Sequence, residues 1–262
     1  MTEHAAAIPR HIGYIVDGNR RWAKTHGIPT YEGHLAGYNA LKDVAFATLD
    51  AGVEYMSIYI FSTENWKRSQ DEIRGLMTLI LRLFTTDAKV FTENDIRLKV
   101  LGQRDGLDPK ILKAMDKLED STKDNKSGTL AICLNYGGQN EIVDAVKKIV
   151  QSGISADEIT EDIIAENLYG AEVPPVDVIV RTSGEAFEQL HVMACRLQRI
   201  YFLEKAVARY DKRRRNRYNG RIFTSTTTFW RVNGTYIWNH SWAHRAYFFG
   251  GRSRTRPCNC GT

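Results

Sequence analysis

Five short β-rich runs, separated by stretches with helical spacing, occupy residues 11 to 182, and this alternation restricts the fold more than any other feature of the chain. The expected strands are "HIGYIVD" (11–17), "YMSIYIF" (55–61), "IRLKVLG" (96–102), "TLAICLNY" (129–136) and "VDVIVRT" (176–182), each rich in Ile, Val, Leu or Tyr. Leu35, Tyr38, Leu41, Ala45 and Leu49 mark one helix between them, and Ile73, Leu76, Ile80, Leu83 and Phe84 a second. Ile142, Val143, Val146 and Ile149 mark a third. Parallel strands need crossover connections, so this order predicts an α/β fold with a largely parallel central sheet covered by helices. In such sheets ligands bind beyond the carboxyl ends of the strands.

A chain of 262 residues, 43% of them hydrophobic, can bury the core that such a sheet requires. It contains no run of about 18 apolar residues, and its first residues lack a basic stretch followed by an apolar one. A cytoplasmic protein is expected, without a membrane span or signal peptide. Cys133, Cys195, Cys258 and Cys260 form neither a disulfide framework nor a zinc spacing, and are expected to be buried or incidental thiols.

Four polar clusters fall at the expected strand ends. "DGNRRW" follows the first strand, and its Gly18-Asn19 turn places the Asp17 carboxylate at the strand tip beside backbone N–H groups and Arg21. A carboxylate next to phosphate-binding donors suits a magnesium diphosphate, although the turn alone is equally compatible with a polar loop that binds nothing. It matches no Walker loop and no dinucleotide fingerprint. In "YEGHLAG", His34 stands at a helix start, where an anion is favoured but where a histidine is more often only a polar residue. "FSTENWKR" follows the second strand with Ser62, Glu64, Asn65 and Arg68 as polar groups and Trp66 as an apolar wall. Helix capping explains Ser62 and Thr63 but not the whole cluster. "RTSGE" ends the last strand with Arg181 and a glycine turn suited to phosphate.

The combination of "HIGYIVDGNRRWAK", "GHLAG", "YIFSTENWKR", "LNYGGQNEIVDAV" and "DVIVRTSGE", in this order and spacing over residues 8 to 185, resembles the cis-prenyltransferases, the family of undecaprenyl diphosphate synthase and the isoprenyl transferases. The resemblance implies the α/β cis-prenyltransferase fold rather than the all-α trans-prenyltransferase one. It also implies condensation of isopentenyl diphosphate with an allylic diphosphate to give cis-polyprenyl diphosphates of the undecaprenyl lipid-carrier type. On the same basis Asp17 is expected to hold Mg²⁺ and to be catalytic, with Asn65 as the proton acceptor. Gly18, Asn19, Arg20, Arg21 and His34 are expected to grip the allylic diphosphate, and Trp22 to line the site. Ser62, Thr63, Glu64, Trp66 and Arg68 would position substrate, and Arg181 would bind isopentenyl diphosphate. The resemblance further implies a homodimer and a product that partitions to the membrane, with the enzyme cytoplasmic or peripheral to it. The apolar helices 35–49 and 73–84 would wall a tunnel for the growing chain, although core packing explains their spacing equally well. One position departs from the family: Thr30 stands where an Arg is usual, four residues before His34, so no diphosphate contact is assigned to it.

After Glu185 the alternation stops. Residues 186 to 262 hold 15 Lys and Arg against 3 Asp and Glu, whereas the first 185 hold 21 against 28. A basic tail of this kind can grip nucleic acid, but it contains no recognisable module for doing so. The family's expected continuation, "RxSNF", then a "W...AYxEF" helix and a closing "RRFGG", is missing. Allowed codons for "AFEQLHVMACRLQRI", read one nucleotide later, give "RLSNFMLWRAAYSEF". Some steps in this shift are forced: Met193 followed by Ala194 must yield Trp, and Trp230 followed by Arg231 must yield Gly. The expectation is therefore a catalytic domain over 1–185, incomplete at its C-terminal end, and an aberrant, poorly ordered, out-of-frame basic tail over 186–262 with no nucleic-acid role. The glutamate expected as second metal ligand is encoded across Arg199 and Ile200 in the shifted frame, so the chain as written is expected to be impaired.

Overall fold

The computed structural model describes residues 8–182 together with strand segments 199–203, 230–232 and 235–237. The chain forms two compact units, one of residues 8–215 and one of residues 1–7 with 216–262. Of the second, the described part is an antiparallel strand pair, Trp230–Val232 with Thr235–Ile237.

The first unit is built in the order β1 (His11–Ile15), α1 (Asn19–Thr25), α2 (Thr30–Asp50), β2 (Tyr55–Ser62), α3 (Gln70–Phe84), α4 (Ala88–Glu93), β3 (Ile96–Leu101), α5 (Pro109–Thr122), β4 (Gly128–Tyr136), α6 (Gly138–Ser152), α7 (Glu161–Asn167), β5 (Val178–Thr182) and β6 (Arg199–Leu203). A 3₁₀ turn, Thr63–Lys67, joins β2 to α3. The strands form one six-stranded sheet in the order β3-β4-β2-β1-β5-β6. Every neighbouring pair in it is parallel. The five expected strands are all present, each within two residues of its expected ends.

Side chains alternate across the sheet, as a pleat requires. Leu130, Ile132 and Leu134 of β4 join Met56, Ile58 and Leu98 in the main core, which α3 and α5 cover with Ile80, Leu83, Ile111 and Met115. Burying each of these side chains contributes about 1.5–3 kcal/mol. Ala131 and Cys133 point to the other face, into a smaller cluster with Leu101, Tyr136 and Tyr169. Cys133 is a buried free thiol, as expected. Cys195, Cys258 and Cys260 lie outside the described residues.

Two sequence expectations need correction. The sheet has a sixth strand: the short apolar run "IYFL" puts Arg199–Leu203 beside β5, with Ile200 opposite Ile179, beyond the point where the alternation was expected to stop. Second, α6 is present but turned. Ile142, Val143 and Val146 are exposed, along with Val150, while Glu141, Ala145 and Ile149 face inward. The cause is polar: the Glu141 carboxylate accepts hydrogen bonds from the Tyr136 hydroxyl and from the Tyr169 backbone N–H. Docking that buried carboxylate fixes the helix rotation against its apolar stripe. Burial pushes the Glu141 pKa up, against the effect of these donors.

Candidate active site

The carboxyl ends of the three adjacent strands β2, β1 and β5 converge on one place. Ile15 is paired with Tyr59 of β2 and with Arg181 of β5, so the residues that follow Ile15 emerge beside Arg181. The Thr182 hydroxyl ties the tip of β1 down by donating to the Asp17 carbonyl at 2.8 Å. Gly18 then turns the chain into α1 with φ of 93°, a left-handed conformation that a residue with a Cβ rarely adopts. Its N–H donates to Asp17 Oδ1 at 2.6 Å. The outer oxygen, Oδ2, accepts from Arg181 Nη2 at 3.2 Å and Arg21 Nη2 at 3.4 Å. The Asp17 carboxylate therefore holds two guanidinium groups at the rim of the site, each through a single Nη2 on the same oxygen.

A second knot of charge lies between the starts of α2 and α3. Glu72 Oε1 accepts from Arg68 Nη1 at 2.8 Å and lies 3.2 Å from His34 Nε2. Arg20 Nη1 approaches Glu72 Oε2 at 3.8 Å. A carboxylate only accepts, so His34 carries its proton on Nε2. Burial lowers the His34 pKa, partly offset by Glu72 and reinforced by Arg68 and Arg20, so the imidazole is neutral at pH 7. The sequence reading passed over Glu72. Its signal was present as Ser69-x-x-Glu72, but that pattern reads as a helix cap, and Ser69 Oγ does accept the Glu72 N–H at 3.3 Å. The side chain is turned to the arginines, with 9% of its surface exposed.

The 3₁₀ turn is closed by a reciprocal cap: Ser62 Oγ accepts the Asn65 N–H, and the Asn65 carboxamide oxygen accepts the Ser62 N–H at 3.1 Å. This fixes the Asn65 side chain at the mouth. α1 and α2 pack closely here, because a Cβ at Gly37 would lie 2.1 Å from Asn19 Nδ2. Asn19 is buried, and its Oδ1 has no hydrogen-bond partner. Gly37→Ala is accordingly expected to displace the Asn19 amide and, if that amide contacts an anion bound at this mouth, to weaken binding of inorganic diphosphate about tenfold, roughly the worth of one hydrogen bond to a charged group. Calorimetric titration checks this, and an unchanged affinity would remove Asn19 from the site.

These groups surround the mouth of a cavity of about 540 Å³. Of the expected site residues, Asp17, Gly18, Asn19, Arg20, Arg21, His34, Ser62, Asn65, Arg68 and Arg181 line it. Trp22, Thr63, Glu64 and Trp66 are not part of the lining. Trp22 stacks on His26 at 4.4 Å. Trp66 packs edge-on to Phe61 and donates through Nε1 to Asn135 Oδ1 at 2.7 Å, so its ring serves the core. Thr30, the departing position, is the first residue of α2. Behind the charged mouth the wall is apolar: Tyr38, Leu41, Ala45 and Phe46 come from α2, and Leu76, Leu79, Ile80 and Leu83 from α3. The spacing that predicted α2 thus serves a hollow, since Tyr38 and Leu41 stay half-buried whereas Ala40, Ala45 and three other small residues form the buried face.

The family model described as "Putative undecaprenyl diphosphate synthase" matches residues 15–216. The chain is 36% identical over 209 residues to an isoprenyl transferase of Thermotoga maritima, covering 79% of this chain and 90% of that protein. It is 42% identical over 178 residues to one of Fusobacterium nucleatum, covering 68% and 76%. Among solved structures, lavandulyl diphosphate synthase from Lavandula x intermedia, in complex with dimethylallyl diphosphate, superposes with a TM-score of 0.74 at 25% identity, covering 82% of this chain and 97% of that one. An α/β sheet whose carboxyl ends gather arginines over an apolar cavity, together with these matches, makes the chain a member of the cis-prenyltransferase family, the isoprenyl transferases.

Proposed function

We propose that this protein condenses isopentenyl diphosphate with allylic diphosphates to give cis-polyprenyl diphosphates, and that the pocket at the ends of β1, β2 and β5 is where it does so. One observation carries the reading. Four guanidinium groups, on Arg20, Arg21, Arg68 and Arg181, ring a mouth that opens directly into an apolar cavity. That pairing fits a ligand with an anionic head and a hydrocarbon tail. The arginines bind and orient the diphosphates and stabilise the negative charge that grows on the leaving group. The apolar wall takes the hydrocarbon and keeps water from the allylic cation. Asn65 is our candidate to accept the proton lost from isopentenyl diphosphate, because its carboxamide oxygen keeps a second lone pair beside the Ser62 N–H.

The residues at the mouth suit a magnesium ion. Among the described residues no three His, Cys, Asp or Glu side chains cluster as a metal cage. Mg²⁺ seldom needs one, since it commonly takes one or two carboxylates and completes its shell with phosphate oxygens and water. Asp17, 40% exposed at the rim, offers the carboxylate. The unpartnered Asn19 Oδ1 offers an acceptor for a metal-bound water. When bound, the ion would neutralise the departing diphosphate.

A cytoplasmic or peripheral location belongs to the same proposal, as does a homodimer of the frame-restored chain. The exposed Ile142, Val143, Val146 and Val150 face of α6 is available for a subunit contact. No helix among the described residues is long and apolar enough to cross a membrane. We assign no nucleic-acid role to the basic segment, because its sequence contains no recognisable nucleic-acid-binding module. We also infer that the codons after Glu185 carry a frame change, from either an error in the nucleotide record or a genuine insertion or deletion. Incorporation of radiolabelled isopentenyl diphosphate into extractable product, by the chain as written and by a frame-restored one, tests the transferase reading and the impairment of the chain as written. The restored chain is expected to turn over at least about a hundredfold faster, the scale for losing an ion-binding group from an active site. Equal rates would refute the impairment of the chain as written, resequencing across the Glu185 codon reads the frame change itself, and no labelled product from either chain would refute the transferase.

A further inference from the structure

The run "LNYGGQNEIVDAV" carries part of the family resemblance, yet its Asn135 lies outside the cavity lining. Asn135 is the penultimate residue of β4 and only 3% exposed. The parallel register between β2 and β4 pairs Phe61 with Leu134 and Ser62 with Tyr136, and so steps over Asn135. Its φ is 49°, a left-handed conformation that Asn tolerates better than most residues with a Cβ. A bulge of this kind re-aims the side chain it carries. Here Nδ2 donates to the carbonyls of Gln103 at 3.1 Å and Asp105 at 2.9 Å, in the loop between β3 and α5, while Oδ1 accepts from Trp66 Nε1 at 2.7 Å. Two carbonyls can face only the NH₂ group and an indole N–H only the oxygen, so the partners fix which way the amide points.

Trp66 belongs to the 3₁₀ turn Thr63–Lys67, which carries Asn65 at the cavity mouth and leads into Arg68. The Arg68 backbone N–H donates to the Asn65 carbonyl at 3.1 Å, so the two residues move together. The other end of the turn rests on the same stretch of chain as its middle, since a Cβ on Gly137 would lie 2.6 Å from Thr63 Oγ1. A short 3₁₀ turn makes few and poorly aligned backbone hydrogen bonds, and its place therefore depends on what anchors it. The Phe61 ring gives Trp66 apolar contact, and the Asn135 oxygen gives it direction. We propose that Asn135 is a positioning residue of the active site: by tying the Trp66 indole to the loop after β3, it fixes the turn that presents Asn65 and Arg68. This rests on the diphosphate reading of the site.

The test is a double-mutant cycle of Trp66→Phe with Arg68→Ala, read as the affinity of the full chain for inorganic diphosphate in calorimetric titration. Trp66→Phe keeps an aromatic ring beside Phe61 and removes the N–H that Asn135 holds. Arg68→Ala is expected to weaken binding about tenfold, the scale of a hydrogen bond to a charged group. Trp66→Phe is expected to weaken it about fivefold with Arg68 present and less than about twofold in the Arg68→Ala background, where a loosened turn has no guanidinium left to misplace. Asn135→Gly accepts the left-handed backbone but lacks the amide, and is expected to repeat this pattern. A general loss of stability would lower affinity equally in both backgrounds. An equal loss, or no loss, from Trp66→Phe in the two backgrounds overturns the proposal, as does an Asn135→Gly variant that folds and binds like the wild type. Should Asn135→Gly not fold, the Trp66→Phe cycle decides alone. An Arg68→Ala variant that binds diphosphate as tightly as the wild type instead overturns the diphosphate reading of the mouth, and the positioning role with it.

Discussion

Asp17→Asn is expected to abolish the magnesium dependence of allylic diphosphate binding and to lower turnover of the frame-restored chain roughly a thousandfold, about 4 kcal/mol of transition-state stabilisation. The substitution keeps the shape of the side chain and an oxygen for the Gly18 N–H, so the turn into α1 survives. What it removes is the negative charge that Arg21 and Arg181 now share. Both guanidinium groups keep their own charge in the variant, and bare inorganic diphosphate should bind no more weakly. A bound Mg²⁺ would lose the one carboxylate that the described lining residues offer it. Binding of an allylic diphosphate measured with and without Mg²⁺ reads this directly: a wild-type affinity raised about tenfold or more by the ion, against an unresponsive variant. A variant that still responds to Mg²⁺ would place the ion elsewhere.

Glu72→Gln is expected to separate binding from turnover. The carboxylate organises Arg68, His34 and Arg20, yet its charge opposes an incoming diphosphate. Breaking a buried ion pair costs about 3–5 kcal/mol, but Arg68 is 29% exposed and Arg20 65% exposed, so water screens part of the loss and about 2 kcal/mol is expected here. Thermal unfolding should register that loss as a lower Tm. Inorganic diphosphate should bind at least as tightly as to the wild type. Turnover should fall about a hundredfold, because a loosened Arg68 no longer holds the reacting groups in line. A variant that loses affinity and turnover equally would instead make Glu72 part of the substrate grip.

The frame of the molecule was legible because its signals are local. Each of the five strands is a run of β-branched, aliphatic or aromatic residues followed by turn or capping residues, and the ladder found those runs within two residues of their expected ends. The site was legible for a related reason. Asp17 lies two residues past β1, and Ser62 and Arg181 lie within the last two residues of β2 and β5, so parallel pairing gathers them at one end of the sheet. What escaped depends on partners distant in sequence. Glu72 looks like a helix cap until α2 places His34 beside it, 38 residues away in the chain. Trp66 looks like a cavity wall until Asn135, 69 residues on, takes its indole N–H. The turn of α6 was hidden because a buried carboxylate outweighed an apolar stripe, and periodicity records only the stripe. β6 was missed because a five-residue strand in an aperiodic, basic stretch carries too little pattern to stand out.

The central claim is that one site joins a diphosphate-binding mouth to a hydrocarbon cavity. Titrating the chain with farnesyl diphosphate, inorganic diphosphate and farnesol, each in the presence of Mg²⁺, tests it most directly. If mouth and cavity are one site, farnesyl diphosphate should bind at least about a hundredfold more tightly than either half alone, since the second half then binds without a second loss of translational freedom. Farnesyl diphosphate binding no more tightly than inorganic diphosphate would contradict the claim.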